Sequence, residues 1–362
     1  MKPIPVLSIL VLATLGGCAE PDDVLFTRPT VPPLEIEPGL FRVTWNPGTD
    51  VVRGFTPDGG SILYATSDVP GFGAGSYVLR ANLADGAVRE EAAIYRRAVL
   101  YTVSHVAVAA DRRLLVTWRS LAPGAVSCEE CPPPPTAIDV IVRRLPPQDI
   151  VPLSAAPTRT ITLPNHATNG CQHRVRIGPV EREVRARRVN PFGPVELADG
   201  SAGFLSDGET VWRYDPADTA AAPDSLGPGA FPSLSPDGLR LAAAVPLGLD
   251  STSGTCTFGL CPCVQETVTI TTTGWEVVLY DLAANTSTSL AAGLEPTFDP
   301  LGDRVAVRRA DALYWVDLQT GTADAIPGTE GAYAPVVAPD GSVLAFTAQR
   351  FDSPDVFFLR LR

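Results

Sequence analysis

Apolar and polar positions alternate along this chain in short runs, and the runs recur. Phe55–Thr66 (FTPDGGSILYAT) has counterparts in Leu234–Val245 (LSPDGLRLAAAV), Val337–Thr347 (VAPDGSVLAFT) and Phe298–Val307 (FDPLGDRVAV). Two looser copies read Val108–Thr117 (VAADRRLLVT) and Glu196–Leu205 (ELADGSAGFL). Each is a strand, a tight turn and a second strand with period-two alternation. Asp and Gly suit the turn because Asp bonds its own backbone and Gly accepts positive φ. A further strand follows several copies: Val278–Leu282 (VLYDL), Leu313–Leu318 (LYWVDL), Val211–Asp215 (VWRYD) and Val356–Leu361 (VFFLRL). Four antiparallel strands per repeat make a propeller blade.

Turns near 58, 111, 199, 237, 301 and 340 predict an all-β fold, a single propeller of six blades. A seventh, decayed blade fits between 150 and 190, where the spacing is widest. The last repeat is one strand short, and Leu40–Trp45 (LFRVTW) precedes the first repeat. Pairing those ends would close the ring and leave no open edge. The Pro-Asp-Gly turn with the Tyr-Asp-Leu strand resembles the TolB-like repeats of bacterial six-bladed propellers, relatives of WD-repeat propellers. That resemblance covers most of residues 40–362 and implies the fold; propellers of this kind often dock partners around the central channel.

The amino terminus carries a different signal. Lys2 precedes the apolar run Val6–Leu15, followed by Leu15-Gly16-Gly17-Cys18. A run this short cannot span a bilayer, which takes about 20 apolar residues, and it fits a secretory signal ending in small residues. The tetrad resembles the lipobox of bacterial lipoproteins. That family implies a diacylglyceryl group on the Cys18 thiol, cleavage after Gly17 and a membrane contact through the lipid. Ala19 and Glu20, rather than Asp, favour the outer membrane of the cell envelope, facing the periplasm or the surface. Residues 1–17 then read as signal peptide, 18–38 as a Pro- and acid-rich tether, and 39–362 as the propeller.

Loss of residues 1–17 removes Lys2, the only lysine, so the 28 basic residues become 27 against 40 acidic ones. That balance excludes general nucleic-acid binding, which needs a basic footprint, and the mature chain has no lysine for Schiff-base chemistry.

Six cysteines follow Cys18. Cys128 and Cys131 fall in an insertion near 120–135, Cys171 in a passage near 165–190, and Cys256, Cys261 and Cys263 in an insertion near 246–273. Second-to-third-strand loops and blade connections emerge on one face of a propeller, so the three insertions are expected together on neighbouring blades. An exported chain meets an oxidising compartment, and an even count suits up to three disulfides stapling that face. Zinc at Cys128, Cys131, Cys171 and His173 is the competing reading. On the same face fall His166 and His173 and a basic strip, Arg174, Arg176, Arg182, Arg185, Arg187 and Arg188, suited to an anionic partner.

Catalytic signals are missing. His105 precedes an apolar strand and reads as packed beside it. No Gly-x-Ser-x-Gly elbow, HExxH or phosphate loop occurs. The aspartates Asp58, Asp237 and Asp340 read as turn formers rather than calcium ligands. The expectation is therefore a non-catalytic envelope lipoprotein without cofactor, binding an envelope protein or polysaccharide through its stapled face. Two alternatives stay open: a propeller enzyme of lyase or hydrolase type working in the central funnel, and a metal-binding module at the cysteines.

Overall fold

The computed structural model describes residues 31–361 except 46–47, 69–73, 96–100, 110–111, 121–136, 146–157, 165–170, 178–179, 187–191, 198, 207, 209, 219–220, 258–263 and 311; within 67–78, 88–194 and 248–273 it describes backbone alone. The elements are all strands. In chain order they are β1 (Leu34–Glu37), β2 (Leu40–Arg42), β3 (Asp50–Phe55), β4 (Ser61–Asp68), β5 (Ala74–Asn82), β6 (Val88–Tyr95), β7 (Tyr101–Ala109), β8 (Arg112–Ser120), β9 (Ala137–Leu145) and β10 (Thr158–Pro164). Next come β11 (Cys171–Ile177), β12 (Val180–Ala186), β13 (Phe192–Glu196), β14 (Gly203–Ser206), β15 (Thr210–Tyr214), β16 (Asp224–Pro228), β17 (Ala230–Leu234), β18 (Arg240–Thr257), β19 (Val264–Asp281) and β20 (Thr286–Ala292). The last are β21 (Leu294–Phe298), β22 (Arg304–Arg309), β23 (Ala312–Asp317), β24 (Ala323–Ala325), β25 (Ala332–Val337), β26 (Val343–Ala348) and β27 (Asp355–Arg360).

These strands form a β-propeller. Antiparallel sheets run β3–β6, β7–β10, β13–β16 and β21–β24 in chain order, while a five-stranded sheet runs β1-β2-β27-β26-β25. A composite sheet takes β17, β18, β19 and β20 and adds β11 and β12. The first strands adjoin one another in the order β3, β7, β13, β17, β21, β25 and back to β3, forming the inner wall of the ring.

The expectation of uniform four-stranded blades, with a seventh between 150 and 190, is corrected. β10 completes the sheet of β7–β9, and β11–β12 is captured by β19 instead of building a sheet of its own. Residues 246–257 and 264–273 are likewise a paired ladder rather than loop, since β18 and β19 stay paired from Arg240↔Asp281 to Thr257↔Val264. Val264–Thr273 (VQETVTITTT), rich in Val, Ile and Thr, suits an extended strand. Leu34–Glu37, inside the stretch read as tether, pairs with β2 as an edge strand.

The Pro-Asp-Gly turns share one geometry. Thr56 N–H donates to the Ser61 carbonyl (2.9 Å), Gly59 N–H to the Thr56 carbonyl (2.8 Å), and Gly60 N–H to Asp58 Oδ1 (3.0 Å). Ser235, Asp237 and Gly238 repeat it, as do Ala338, Asp340 and Gly341. The third turn residue sits near φ +70° (Gly59, Gly200, Gly238, Gly302, Gly341), where a Cβ is strained. The carboxylates are thus engaged by turn donors, and these bonds hold Asp58, Asp199 and Asp237 below the usual carboxylate range.

The core lies between neighbouring sheets. Val52, Ile62, Tyr64 and Leu79 of the first sheet pack on Phe41, Ala345, Val356 and Phe358 of the last. Leu40, Phe346 and Phe357 pack the other way, onto Ala306 and Leu313. A large apolar side chain fully buried in such a layer contributes about 1.5–3 kcal/mol. β2 lies beside β27 with Leu40↔Leu359, Phe41↔Phe358 and Arg42↔Phe357 in register, and Phe41 stacks on Phe358 at 4.7 Å. Polar links continue this seam: Val43 N–H to the Val356 carbonyl (2.8 Å), Val356 N–H to Thr44 Oγ1 (2.9 Å), and Asp50 N–H to the Pro354 carbonyl (2.9 Å).

Candidate functional site

Two places depart from the repeating scaffold. The first is the ribbon. β18 and β19 have 18 residues each, against five or six in β21 and β22. Their basal halves serve the blade, where β17 pairs with Leu241–Ala244 and β20 with Glu276–Asp281. Beyond Leu247 and Gly274 ten further residues of each strand project, about 33 Å at 3.3 Å per residue. β11 pairs with Val264–Thr269, and β12 pairs with β11, so the outer end is a four-stranded sheet in the order β12-β11-β19-β18.

This arrangement brings together part of the site expected from sequence. Cys171, His173, Arg174 and Arg176 stand on β11, Arg182 and Arg185 on β12, and Cys256 on β18. Cys18, Cys128, Cys131, Cys261, Cys263, His166, Arg187 and Arg188 lie outside the described residues, as do the loops of the 120–135 insertion. Register changes the meaning of the basic strip. Arg174 stands opposite Glu183 on one side and Glu266 on the other, and Arg176 stands opposite Glu181. With strand alternation, Arg174, Arg176 and Arg185 share a face with Glu181, Glu183 and Glu266. The register thus sets opposite charges at neighbouring positions of the sheet. The linear run of arginines concealed this, since Glu266 is contributed from almost a hundred residues away.

The second place is on the inner wall, where β3, β21 and β25 meet. Several first strands carry a bulge, at Arg53 on β3, Glu295-Pro296 on β21 and Ala334-Pro335 on β25. Phe231, Glu295 and Ala334 occupy left-handed backbone at φ 55°, 54° and 51°. Such strain persists where the surrounding packing imposes it and gathers at functional positions. Glu295 Oε2 accepts the Ala334 N–H (2.7 Å), tying two sheets, and lies 3.4 Å from Arg308 Nε on β22. Arg53 and Tyr333 complete the group and feel the Glu295 charge. Burial lowers Arg53 to about 10, against the opposing pull of Tyr333 and Glu295, and burial raises Tyr333. Arg53 Nε is sealed from solvent and has no hydrogen-bond partner.

Sequence reading missed this group because its members come from different repeats and share no motif. The available signal was a polar residue, Glu295, where the equivalent bulges carry Phe231 and Ala334. His105 follows a bulge on β7, another inner strand. Among the described residues no group of three or more His, Cys, Asp and Glu is placed to hold a metal ion.

No known family's sequence profile matches the chain, and no curated protein matches it in sequence. Solved structures do resemble it. An α-L-arabinanase of Penicillium chrysogenum, complexed with arabinobiose, is 10% identical over 93% of this chain and 98% of its own, with a TM-score of 0.50. The likeness is one of fold. The β-propeller domain of a Myceliophteria thermophila protein is 11% identical, covering 89% of this chain and 100% of that one at a TM-score of 0.43. TolB of Acinetobacter baumannii is 12% identical over 65% and 63%, at a TM-score of 0.31. At such identities a shared propeller carries no activity across.

Proposed function

We propose that this chain is a lipid-anchored protein of the bacterial cell envelope whose propeller is a non-catalytic scaffold, binding an envelope protein or polysaccharide through the β11–β12–β18–β19 ribbon. The observation that carries the reading is the ribbon itself. A ring of this kind is complete without it, yet the chain extends two strands of one blade by about 33 Å and adds a second hairpin to widen them. The outer strands are rich in Thr and set Arg against Glu in register, a composition that suits a polar partner surface better than a polyanion. β2 is the outward neighbour of β27 in the last sheet, in the Leu40↔Leu359 register. Disulfides at the ribbon remain part of the proposal, as does lipidation at Cys18.

The enzyme alternative draws on the inner-wall group. There Glu295 already serves the Ala334 N–H and Arg308, so its carboxylate is engaged by the scaffold. A metal module at the cysteines would need Cys128 and Cys131 beside Cys171, and those two lie outside the described residues.

The test is crosslinked capture from intact envelopes. The native chain is compared with one in which residues 250–271 are replaced by a two-residue turn joining Leu249 and Thr272, which are partners in register. A partner recovered by the native chain and lost by the trimmed, still folded one supports the scaffold. Equal capture by both sinks it. A Cys18→Ser chain should leave the membrane fraction and lose palmitate labelling; retention of both would remove the anchor from the reading.

A further inference from the structure

We propose that the inner-wall group formed by Arg53, Arg308 and Tyr333 is a binding site for the carboxylate of a small organic acid, with Glu295 as its internal competitor. The inference goes beyond the scaffold reading, and it stands or falls independently of the ribbon.

Arg53 leaves a hydrogen bond unmade. A guanidinium carries five donors and stays charged, so a largely buried one is held by acceptors in nearly every folded protein. Arg53 sits on the bulge of β3, where the extra residue re-aims its side chain, and its Nε is enclosed without a partner. Leaving such a donor unsatisfied costs about 1–3 kcal/mol or more for a charged group. Other partly buried arginines here are served: Arg42 by Asp355 at 2.7 Å, Arg304 by Asp299 at 2.9 Å, and Arg350 by the Gly328 carbonyl at 2.6 Å. Arg350 Nε is likewise enclosed without a partner, but Arg350 is held through Nη1 by Glu37 and through Nη2 by the Gly328 carbonyl; Arg53 is the one of these on the inner wall.

Its surroundings complete a receptor. Glu295 is a carboxylate whose charge acts on it, but this side chain is already committed to the Ala334 N–H at 2.7 Å and to Arg308 at 3.4 Å. Two cations against one anion leave the group with a net charge of +1 in a chain whose formal charge is −12. Burial and Glu295 raise the Tyr333 hydroxyl against the opposing pull of Arg53 and Arg308, so it adds a neutral donor. A planar carboxylate matches a guanidinium fork with two parallel hydrogen bonds, a fit that a spherical halide lacks. The donors come from three sheets, so the site exists only in the closed ring.

The experiment is isothermal titration calorimetry on the purified full-length protein with succinate, with inorganic phosphate and chloride as controls, at constant ionic strength. Succinate should bind, phosphate more weakly, and chloride not measurably. Arg53→Gln and Arg308→Gln should each weaken succinate by at least tenfold. Glu295→Gln should strengthen it several-fold, because the amide oxygen can still accept the Ala334 N–H while the competing charge is gone. If Arg53→Gln does not fold, the opposite signs at Arg308 and Glu295 decide the matter. The chain trimmed at 250–271 should bind succinate as the native chain does, so loss of partner capture and loss of acid binding are separable. No binding of succinate at millimolar concentration, tighter binding of phosphate, or a Glu295→Gln effect of the same sign as Arg308→Gln would each overturn the assignment.

Discussion

Replacing Asp355 with Asn should remove a pH dependence of stability that the terminal seam now imposes. Asp355 opens β27 and is wholly buried. Arg42 Nη2 lies 2.7 Å from its Oδ2, and Thr44 Oγ1 donates weakly to Oδ1 at 3.4 Å. Burial outweighs both, and Asp50 adds a repelling charge, so the carboxyl is pushed up from 3.8 to about 6. An acid raised in the folded state binds its proton more tightly there than in the unfolded chain. Stability is therefore fully present below about pH 4 and declines as pH rises to about 6. At about 1.4 kcal/mol per pH unit, the interval corresponds to about 3 kcal/mol. Asn mimics the protonated acid, and Arg42 keeps its packing over Trp45 (4.1 Å) and Phe351 (4.2 Å). The Asp355→Asn protein should match the native one near pH 4 and exceed it at pH 7 by up to that amount.

Urea unfolding followed by tryptophan fluorescence at half-unit steps from pH 4 to 8 measures the difference directly. Taking native minus variant cancels the turn carboxylates Asp58, Asp199, Asp237 and Asp317. Their values are lowered, so their own contribution is lost only as pH falls below about 4. Asp50→Asn, which removes the repelling neighbour, should narrow the window from its upper end. A difference that stays flat from pH 4 to 7, or a variant less stable at pH 7 than at pH 4 relative to native, would refute the reasoning about burial at this seam.

Other outcomes follow from individual contacts. Gly203→Ala places a Cβ 2.2 Å from Tyr214 Cζ and forces the ring off its bond to Glu196 Oε1 (2.9 Å), so calorimetry should show a loss of about 3 kcal/mol. Gly331→Ala, at φ 71° with nothing within 4 Å, should cost only about 1 kcal/mol through backbone strain. Thr329→Val removes the acceptor for the Leu313 N–H (3.0 Å) and the donor to the Ile326 carbonyl (2.6 Å) at a fully buried position; about 2 kcal/mol should be lost in urea melts. Non-reducing peptide mapping should find no Cys171–Cys256 bridge. Cys171 is level with Thr269 and Cys256 with Gln265, on opposite sides of β19, which separates their Cα atoms by about 16 Å, beyond the roughly 7 Å limit of a disulfide.

What could be read from the chain follows the range of the interactions. The turns at Asp58, Asp237 and Asp340 were legible because each is built by residues within five positions: the carboxylate bonds the next amides, and one Gly takes the left-handed step. The third-strand signature VLYDL was legible for the same reason. The ribbon was not. Leu247–Ser253 mixes Gly, Asp and Ser in a way that locally favours a loop, and it is held extended only because β19 supplies a partner at every step and β11 then covers β19. The pairing of Arg174 with Glu266 was hidden for the same reason of distance.

The inner wall pushes this point furthest. Within its own repeat Arg53 is one arginine before a Pro-Asp-Gly turn, with no more meaning than any solvated cation. The groups whose charge acts on it, Glu295 and Tyr333, come from residues 240 or more positions away, in β21 and β25. A propeller repeats its scaffold and varies its inner wall, so repeat-to-repeat likeness reports the fold, and the departures from likeness report the site. Arg53 and Glu295 depart from the Phe231 and Ala334 pattern at the inner bulges, whereas the aspartates of the turns do not. On that ground the inner wall, rather than the more conspicuous cysteines, is where ligand specificity should be sought, and the ribbon is where a macromolecular partner should be.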